Sequence, residues 1–238
     1  MKSNNNIYSF SELTADNAFL SKPYDFKFGS DNREKSFCFV KKLFNTDKIA
    51  TVHQVHSNKV VCIDEKNYNL NIQADGMITN VPNIALGIKA ADCQAVYLYD
   101  SENKVIGNIH SGWKGTLDCI LYNAIDLMIN KYHCSLENIE AYFCPSICQN
   151  CFEVDKDVYL MFERKFNNID KYTIYKKDCD KYYIDTVALN KDLLISYGLL
   201  NNNIHTSIIC TKCNSNVFHS YRADKATAGR NCAFIMLK

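Results

Sequence analysis

Glycine and proline are scarce in this chain, eight and three among 238 residues. Flexible linkers draw heavily on glycine, so this scarcity argues against a hinge and for one domain spanning residues 1–238. A hydrophobic fraction of 47% is ample for a core of that size. Arg33–Phe44 places Phe37, Val40, Leu43 and Phe44 on one face at helical spacing, whereas Lys59–Asp64, Ile84–Lys89, Ala95–Tyr99 and Lys104–Ile109 are β-branched or aromatic runs of strand length. Thr116 is placed to cap a helix carrying Leu117, Ile120, Leu121, Ala124, Ile125, Met128 and Ile129. A second helix follows Asp155, and a third runs from about Thr186 to a stop at Gly198. Further short strands fall around Tyr172–Tyr175, Ile204–Ile209 and Cys232–Leu237. This order predicts an α/β domain with a mixed sheet.

With 27 basic and 26 acidic residues, a net charge of +1 makes no electrostatic case for nucleic acid or an anionic membrane as partner. No apolar run is long enough for a transmembrane span. The N-terminal MKSNNNIYSFSELTADNAF lacks the apolar core of a signal peptide, so the expectation is a cytoplasmic protein whose twelve cysteines are reduced.

Three polar signals stand at strand ends: Gln54-Val55-His56-Ser57, then Ala90-Ala91-Asp92-Cys93, then His110-Ser111-Gly112-Trp113-Lys114-Gly115-Thr116. The last holds the single Trp and two of the eight glycines, which suggests unusual dihedrals or a close approach. Amides entering the following helix, with Lys114, offer an anion site. His56, Cys93 and His110 are the inventory of a three-ligand zinc site. Widely separated ligands from different elements leave a fourth position open, as in catalytic rather than structural zinc.

These residues resemble the laccase-domain ("multicopper polyphenol oxidase") family, whose members look like zinc-dependent purine nucleoside phosphorylases with adenosine deaminase activity. His53-Gln54-Val55-His56 is similar to the family's QVH element, Ala74-Asp75-Gly76 to its ADG and Ala91-Asp92-Cys93 to its ADC. His110–Gly115 resembles its H-A-G-W-R-G, and Pro145-Ser146-Ile147 with Cys151-Phe152-Glu153-Val154 its G-P-S-I…C-Y-E-V. Cys210-Thr211, Phe218–Arg222 and Thr227–Arg230 resemble its closing motifs. The resemblance implies a four-layer α-β-β-α sandwich with mixed sheets, and zinc bound by His56, Cys93 and His110 as the catalytic centre. It places Arg222 and Arg230 on the family's C-terminal arginine positions and Lys114 where the family has Arg. The family's early S-T-R-x-G-G-x-S loop is absent; Phe19–Tyr24 is a shortened stand-in without its Arg. Ala223 replaces a second Arg and Cys144 a Gly.

The implied reaction joins adenosine, inosine, guanosine or methylthioadenosine with phosphate to give free base and ribose 1-phosphate, or its 5-methylthio analogue from methylthioadenosine. Positioned cations suit such chemistry, and Lys114, Arg222 or Arg230 would pair with phosphate near Gly112–Thr116. Deamination of adenosine calls for a zinc with an open position, and Asp75 and Asp92 are candidates to move the proton. Three other readings stand beside this one. A copper-dependent polyphenol oxidase needs more imidazoles than six histidines readily supply. A hydrolase or deamidase would use Cys93 as nucleophile and His110 as base. A non-catalytic nucleotide-binding protein would bind purine without turnover.

Cys148-Gln-Asn-Cys151 and Cys210-Thr-Lys-Cys213 form two C-x-x-C pairs, a pattern that suggests a second, structural zinc. Their separation is far longer than the roughly 15–20 residues of a ribbon, so adjacent unligated thiols are the competing reading. Cys38, Cys62, Cys119 and Cys232 sit in apolar patterns and read as small core residues.

Overall fold

The computed structural model describes residues 1–4 and 6–238. One six-stranded sheet runs β1 (Lys2–Asn4), β2 (Ile7–Ser9), β3 (Asp16–Leu20), β15 (Asn231–Met236), β7 (Ala85–Ala90), β4 (Ile49–Thr51). A second runs β14 (Ile204–Thr206), β10 (Ile139–Phe143), β8 (Gln94–Asp100), β9 (Val105–Ser111), β6 (Gly76–Thr79), β5 (Val60–Cys62). A small third sheet orders β11 (Glu153–Val154), β13 (Lys181–Ile184), β12 (Thr173–Lys176). Both large sheets are mixed: β4 with β7, β5 with β6 and β10 with β14 pair in parallel, and their other pairs are antiparallel. The helices are α1 (Arg33–Phe44), α2 (Trp113–Leu117), α3 (Ile120–Tyr132), α4 (Lys156–Lys165), α5 (Thr186–Tyr197) and α6 (Tyr221–Asp224).

Strand periodicity explains the layering. On β15, Ala233 and Ile235 join a core shared with Ala95, Tyr97 and Tyr99 of β8, while Cys232, Phe234 and Met236 face Val40 and Phe44 of α1. On β8, Val96 and Leu98 point the other way, into a core with Ile120, Leu121, Ala124, Ile125 and Met128 of α3 and Leu194 of α5. The layers are therefore α1, first sheet, second sheet, then α3 with α5, a four-layer α-β-β-α sandwich. Asn108 stitches the two sheets, its buried Nδ2 donating to the carbonyls of Leu86 (2.8 Å) and Ala233 (2.9 Å).

Helix α1 matches its sequence expectation in both bounds, and α5 ends at Gly198, which takes φ 120°. Asp155 caps α4 by position. Other expectations need correction. On α1 the inward line is Ser36, Val40 and Phe44, and Leu43 faces solvent. Thr116 caps no long helix: it lies within α2, and α3 starts separately at Ile120. Its hydroxyl is engaged by Ser111 Oγ (3.0 Å) and Asn190 Nδ2 (3.0 Å), so a tertiary partner has displaced the capping role. Of the four cysteines read as core, only Cys232 is buried; Cys38 is exposed, and Cys62 and Cys119 are intermediate. Cys38 is off the inward line of α1, and Cys62 lies on edge strand β5.

Candidate metal centre and its cavity

Sheet register brings the three separated signals together. Ala95 of β8 pairs with His110 of β9, so Cys93, two residues earlier, stands beside the end of β9. Gly76 of β6 pairs with Ile109, and the His110 amide continues the ladder by donating to the Asp75 carbonyl at 2.7 Å. The Asp75 side chain then draws in the β4–β5 loop. Its two oxygens accept from the amides of Val55 (3.2 Å), His56 (3.0 Å) and Ser57 (2.7 Å) and from Ser57 Oγ (2.7 Å). Its Oδ1 also accepts from His110 Nδ1 at 2.9 Å. One fully buried carboxylate thus sets both the backbone that carries His56 and the ring of His110.

The donor atoms of His56, Cys93 and His110 all lie within 4.8 Å of one another, with Cys93 Sγ 4.0 Å from His56 Nε2. The two imidazoles meet edge to face at 4.9 Å. With His110 Nδ1 held by Asp75, Nε2 is the nitrogen free to ligate. Room for this packing comes from Gly112, where a Cβ would stand 2.8 Å from His56 Cδ2 and 3.3 Å from Cys93 Sγ. Gly112 has an ordinary φ of −74°, so close approach, not dihedral freedom, requires glycine there. Two non-glycine residues of the centre do take left-handed backbone, His56 (φ 60°) and Asp92 (φ 88°). Such conformations persist only where surroundings hold them, here through the hydrogen bonds of Asp75 and Asp92.

Electrostatics favour a ligating thiolate. Burial works to raise the Cys93 thiol, but contacts with His110 and His56 outweigh it and bring the thiol down to about 6. Burial works to lower His110, yet Asp75 and Cys93 lift it to about 9. Asp75 itself, despite burial, is held well below the usual carboxylate range by His110 and Ser57. Two imidazoles and a thiolate, one imidazole oriented by a carboxylate, fit a metal ion of zinc type with one face left open.

That face opens into a cavity of about 680 Å³, a volume suited to a small-molecule ligand. Arg222 and Arg230 line its wall with the aromatic rings of Phe28, Trp113, Phe152 and Tyr221. The Arg222 guanidinium lies 5.2 Å over the Phe152 ring. Arg230 reaches the cavity because β15 pairs Asn231 with Ala90, directly before the Asp92–Cys93 turn. Its Nη1 is pinned by the carbonyls of Ala228 (3.0 Å) and Gly229 (2.8 Å), leaving Nη2 and Nε to meet a ligand. Lys114 is not on this wall: it is exposed, with Nζ 5.5 Å from the Trp113 ring. Asp92 is a positioning residue, with Oδ1 accepting from Thr211 Oγ1 (2.7 Å) and Oδ2 from the Arg222 amide (2.7 Å). Asp75, fully buried, holding five hydrogen bonds and off the cavity wall, is not set to shuttle a proton, whereas Asp92 lines the cavity.

Behind the centre, Asn190 of α5 donates to Gln94 Oε1 (2.8 Å) and contacts Ser111 Oγ (3.3 Å), fixing the residues next to Cys93 and His110. Sequence reasoning missed this network, as it did Lys27 and Phe28 at the cavity. An aromatic next to a basic residue, Lys27-Phe28, was their only signal in the sequence. Elsewhere, the sulfur atoms of Cys148, Cys151, Cys210 and Cys213 also converge within 4.8 Å.

Over residues 30–238 the sequence matches the family described as multi-copper polyphenol oxidoreductase laccase. The chain belongs to this family. A member named adenosine deaminase RL5, from an unknown prokaryotic organism, is 30% identical over 200 residues, covering 81% of this chain and 76% of its own. A purine nucleoside phosphorylase of Clostridium acetobutylicum is 30% identical over 239 residues, covering 97% of each. The crystal structure of the hypothetical protein YfiH from Bacillus licheniformis superposes with a TM-score of 0.86 at 26% identity, covering 93% of this chain and 92% of that one. The family's copper label finds little support in the donors here. Among the described residues the two metal-competent clusters hold two imidazoles in total, whereas several coppers need a histidine-rich set. His205 stacks on Tyr142, and His219 contacts the Tyr24 carbonyl, both away from the centre. No helix among the described residues is long and apolar enough to cross a membrane.

Proposed function

We propose that this laccase-family chain is a zinc-dependent purine nucleoside phosphorylase with adenosine deaminase activity. The observation that carries the reading is the open His56–Cys93–His110 centre facing the same cavity as Arg222 and Arg230. The names borne by relatives at about 30% identity support the substrate class, purine nucleosides and phosphate.

Phosphorolysis builds negative charge on the leaving base while the ribosyl carbon becomes cation-like. Arg222 and Arg230 would hold phosphate by paired N–H donors and keep its oxygens turned toward that carbon. Trp113 and Phe152 offer apolar faces on which the purine can stack and from which water is displaced. A zinc ion held by His56, Cys93 and His110 would supply a Lewis acid with one open position. Asp75 keeps the His110 Nδ1 proton directed away from the cavity, so Nε2 stays available as a donor. Lys114 takes no part in this arrangement, and phosphate recognition falls to the two arginines.

The test is purified protein incubated with inosine or adenosine, with and without phosphate and chelator. Free base and ribose 1-phosphate are expected with phosphate, and inosine with ammonia from adenosine, both suppressed by chelation. Absence of all these products from zinc-loaded protein overturns the reading. One observation favours a second reading: a thiol brought down to about 6 beside a raised imidazole is also the pairing of a cysteine hydrolase. Rapid alkylation of Cys93 in native protein as isolated, with no protection by added zinc, selects that alternative.

A further inference from the structure

Cys148, Cys151, Cys210 and Cys213 take no part in the cavity chemistry. They come from two segments that run side by side. Ser146 forms a parallel bridge with Cys210, and the Thr211 amide donates to the Ser146 carbonyl at 3.0 Å. Each segment then turns tightly within its C-x-x-C: Cys151 N donates to Cys148 O at 3.0 Å, and Cys213 N points at Cys210 Sγ at 3.4 Å. The Cys148 amide reaches the same sulfur at 3.3 Å. Two amides aimed at one sulfur stabilise it as a thiolate acceptor.

Zinc bonds thiolate at about 2.3 Å, so the edges of a tetrahedral four-sulfur site are roughly 3.8 Å long. Here all four sulfur atoms fall within 4.8 Å of one another, and Cys151 Sγ is 3.4 Å from Cys213 Sγ. Three of the four cysteines retain some exposure, which gives an ion a route in.

We propose that Cys148, Cys151, Cys210 and Cys213 form a second, structural zinc site, closed by four thiolates. Four protein ligands leave no position for water or substrate, so the ion does no chemistry at this end of the molecule. Binding releases the thiol protons to solvent and involves no electron transfer. The site acts on its neighbours in the chain. Ile147 and Phe152 flank the first pair and line the cavity, and Phe152 carries the Arg222 guanidinium. Thr211, inside the second pair, donates to Asp92 next to Cys93. The zinc therefore clamps together the two segments that shape one wall of the cavity.

Metal analysis of protein purified under reducing conditions tests this independently of any activity. The wild type is expected to hold about two zinc ions per chain, Cys93→Ser about one, and Cys148→Ser with Cys213→Ser about one. Cobalt loaded into Cys93→Ser should show the intense thiolate charge-transfer absorption of a four-sulfur site, an arm that survives if the double variant fails to fold. A single zinc in the wild type that Cys93→Ser abolishes overturns the proposal, as does iron in place of zinc at the four cysteines. So does a Cys151–Cys213 disulfide in the reduced preparation. A protein with two zinc ions and no phosphorolysis would leave this site standing while the proposed function fell.

Discussion

At the scale of single residues the centre depends on a carboxylate that never touches the metal position. Asp75 accepts five hydrogen bonds, three of them from consecutive amides of the His56 loop and one from His110. Asp75→Asn places an amide NH2 where those donors converge, so one set loses its acceptor. Zinc affinity, measured by chelator competition, is expected to fall about 10–100-fold. Stability of the metal-free protein should fall by about 1–3 kcal/mol in denaturant titration. Gly112→Ala separates metal geometry from folding more cleanly. Its backbone angles suit alanine, but the new methyl group collides with His56 and crowds Cys93. The expected outcome is loss of zinc from the cavity with the thermal midpoint of the metal-free protein nearly unchanged; retained stoichiometric zinc would show that His56 can step aside. The grouping of His56, Cys93 and His110 was legible in the sequence because residue types that suit a metal stand at strand ends. Asp75 was visible as part of an ADG element and as a candidate proton carrier, but not as an anchor, since no sequence pattern reveals which buried donors converge on a carboxylate. Lys114 was legible as a charge near a turn, but its direction is set by stacking on Trp113.

At the scale of elements, the cavity wall is assembled from pieces tied down by single side chains. Helix α6 is four residues long and is anchored by the Arg222 amide on Asp92. Arg222→Ala removes the guanidinium while leaving that anchor intact. The KM for phosphate is expected to rise roughly 10–100-fold, the cost of about 1.5–3 kcal/mol in charged hydrogen bonds, and steady-state kinetics at varied phosphate read it directly. The Tyr24–Gly29 segment is tied down by Asp25, whose Oδ1 accepts from the amides of Lys27 (2.9 Å) and Arg230 (2.8 Å). Burial would raise this carboxyl, but the two amides prevail and hold it below its ordinary value. The clamp is fully present above the unfolded carboxyl's pKa of about 3.9 and weakens as pH falls through the lower folded value. Hydrogen exchange of residues 24–30 should therefore lose protection on acidification below pH ~4, a step that Asp25→Asn abolishes. Long, strongly periodic elements such as α1 and β8 were legible, because burial on one or both faces writes their pattern into the sequence. The strands β1, β2, β3, β4, β6, β10, β11 and β13 went unread: each is five residues or fewer and is fixed by its neighbours in the sheet rather than by its own periodicity.

At the scale of the whole molecule, the three side chains proposed as metal donors span the sandwich. His56 follows β4 of the first sheet, Cys93 sits in the turn that passes from β7 in the first sheet to β8 in the second, and His110 ends on β9 of the second. An ion bound by all three therefore binds only when the two sheets are packed on each other, and its binding free energy adds to global stability. Free zinc at about 1,000 times its dissociation constant contributes about 4 kcal/mol, and in a chain of this length each kcal/mol moves the thermal midpoint by about 2–4 °C. Chelation should then lower the midpoint by roughly 8–16 °C in a Cys148→Ser, Cys213→Ser background that isolates this centre. In Cys93→Ser added to that background, chelation should move the midpoint little, because two imidazoles without the thiolate hold zinc too weakly to add to stability. Scanning calorimetry of the two proteins with and without chelator decides the point. Equal midpoints in all four samples would mean that the folded chain holds no metal across its sheets, and that Cys93 and His110 are poised for some other chemistry.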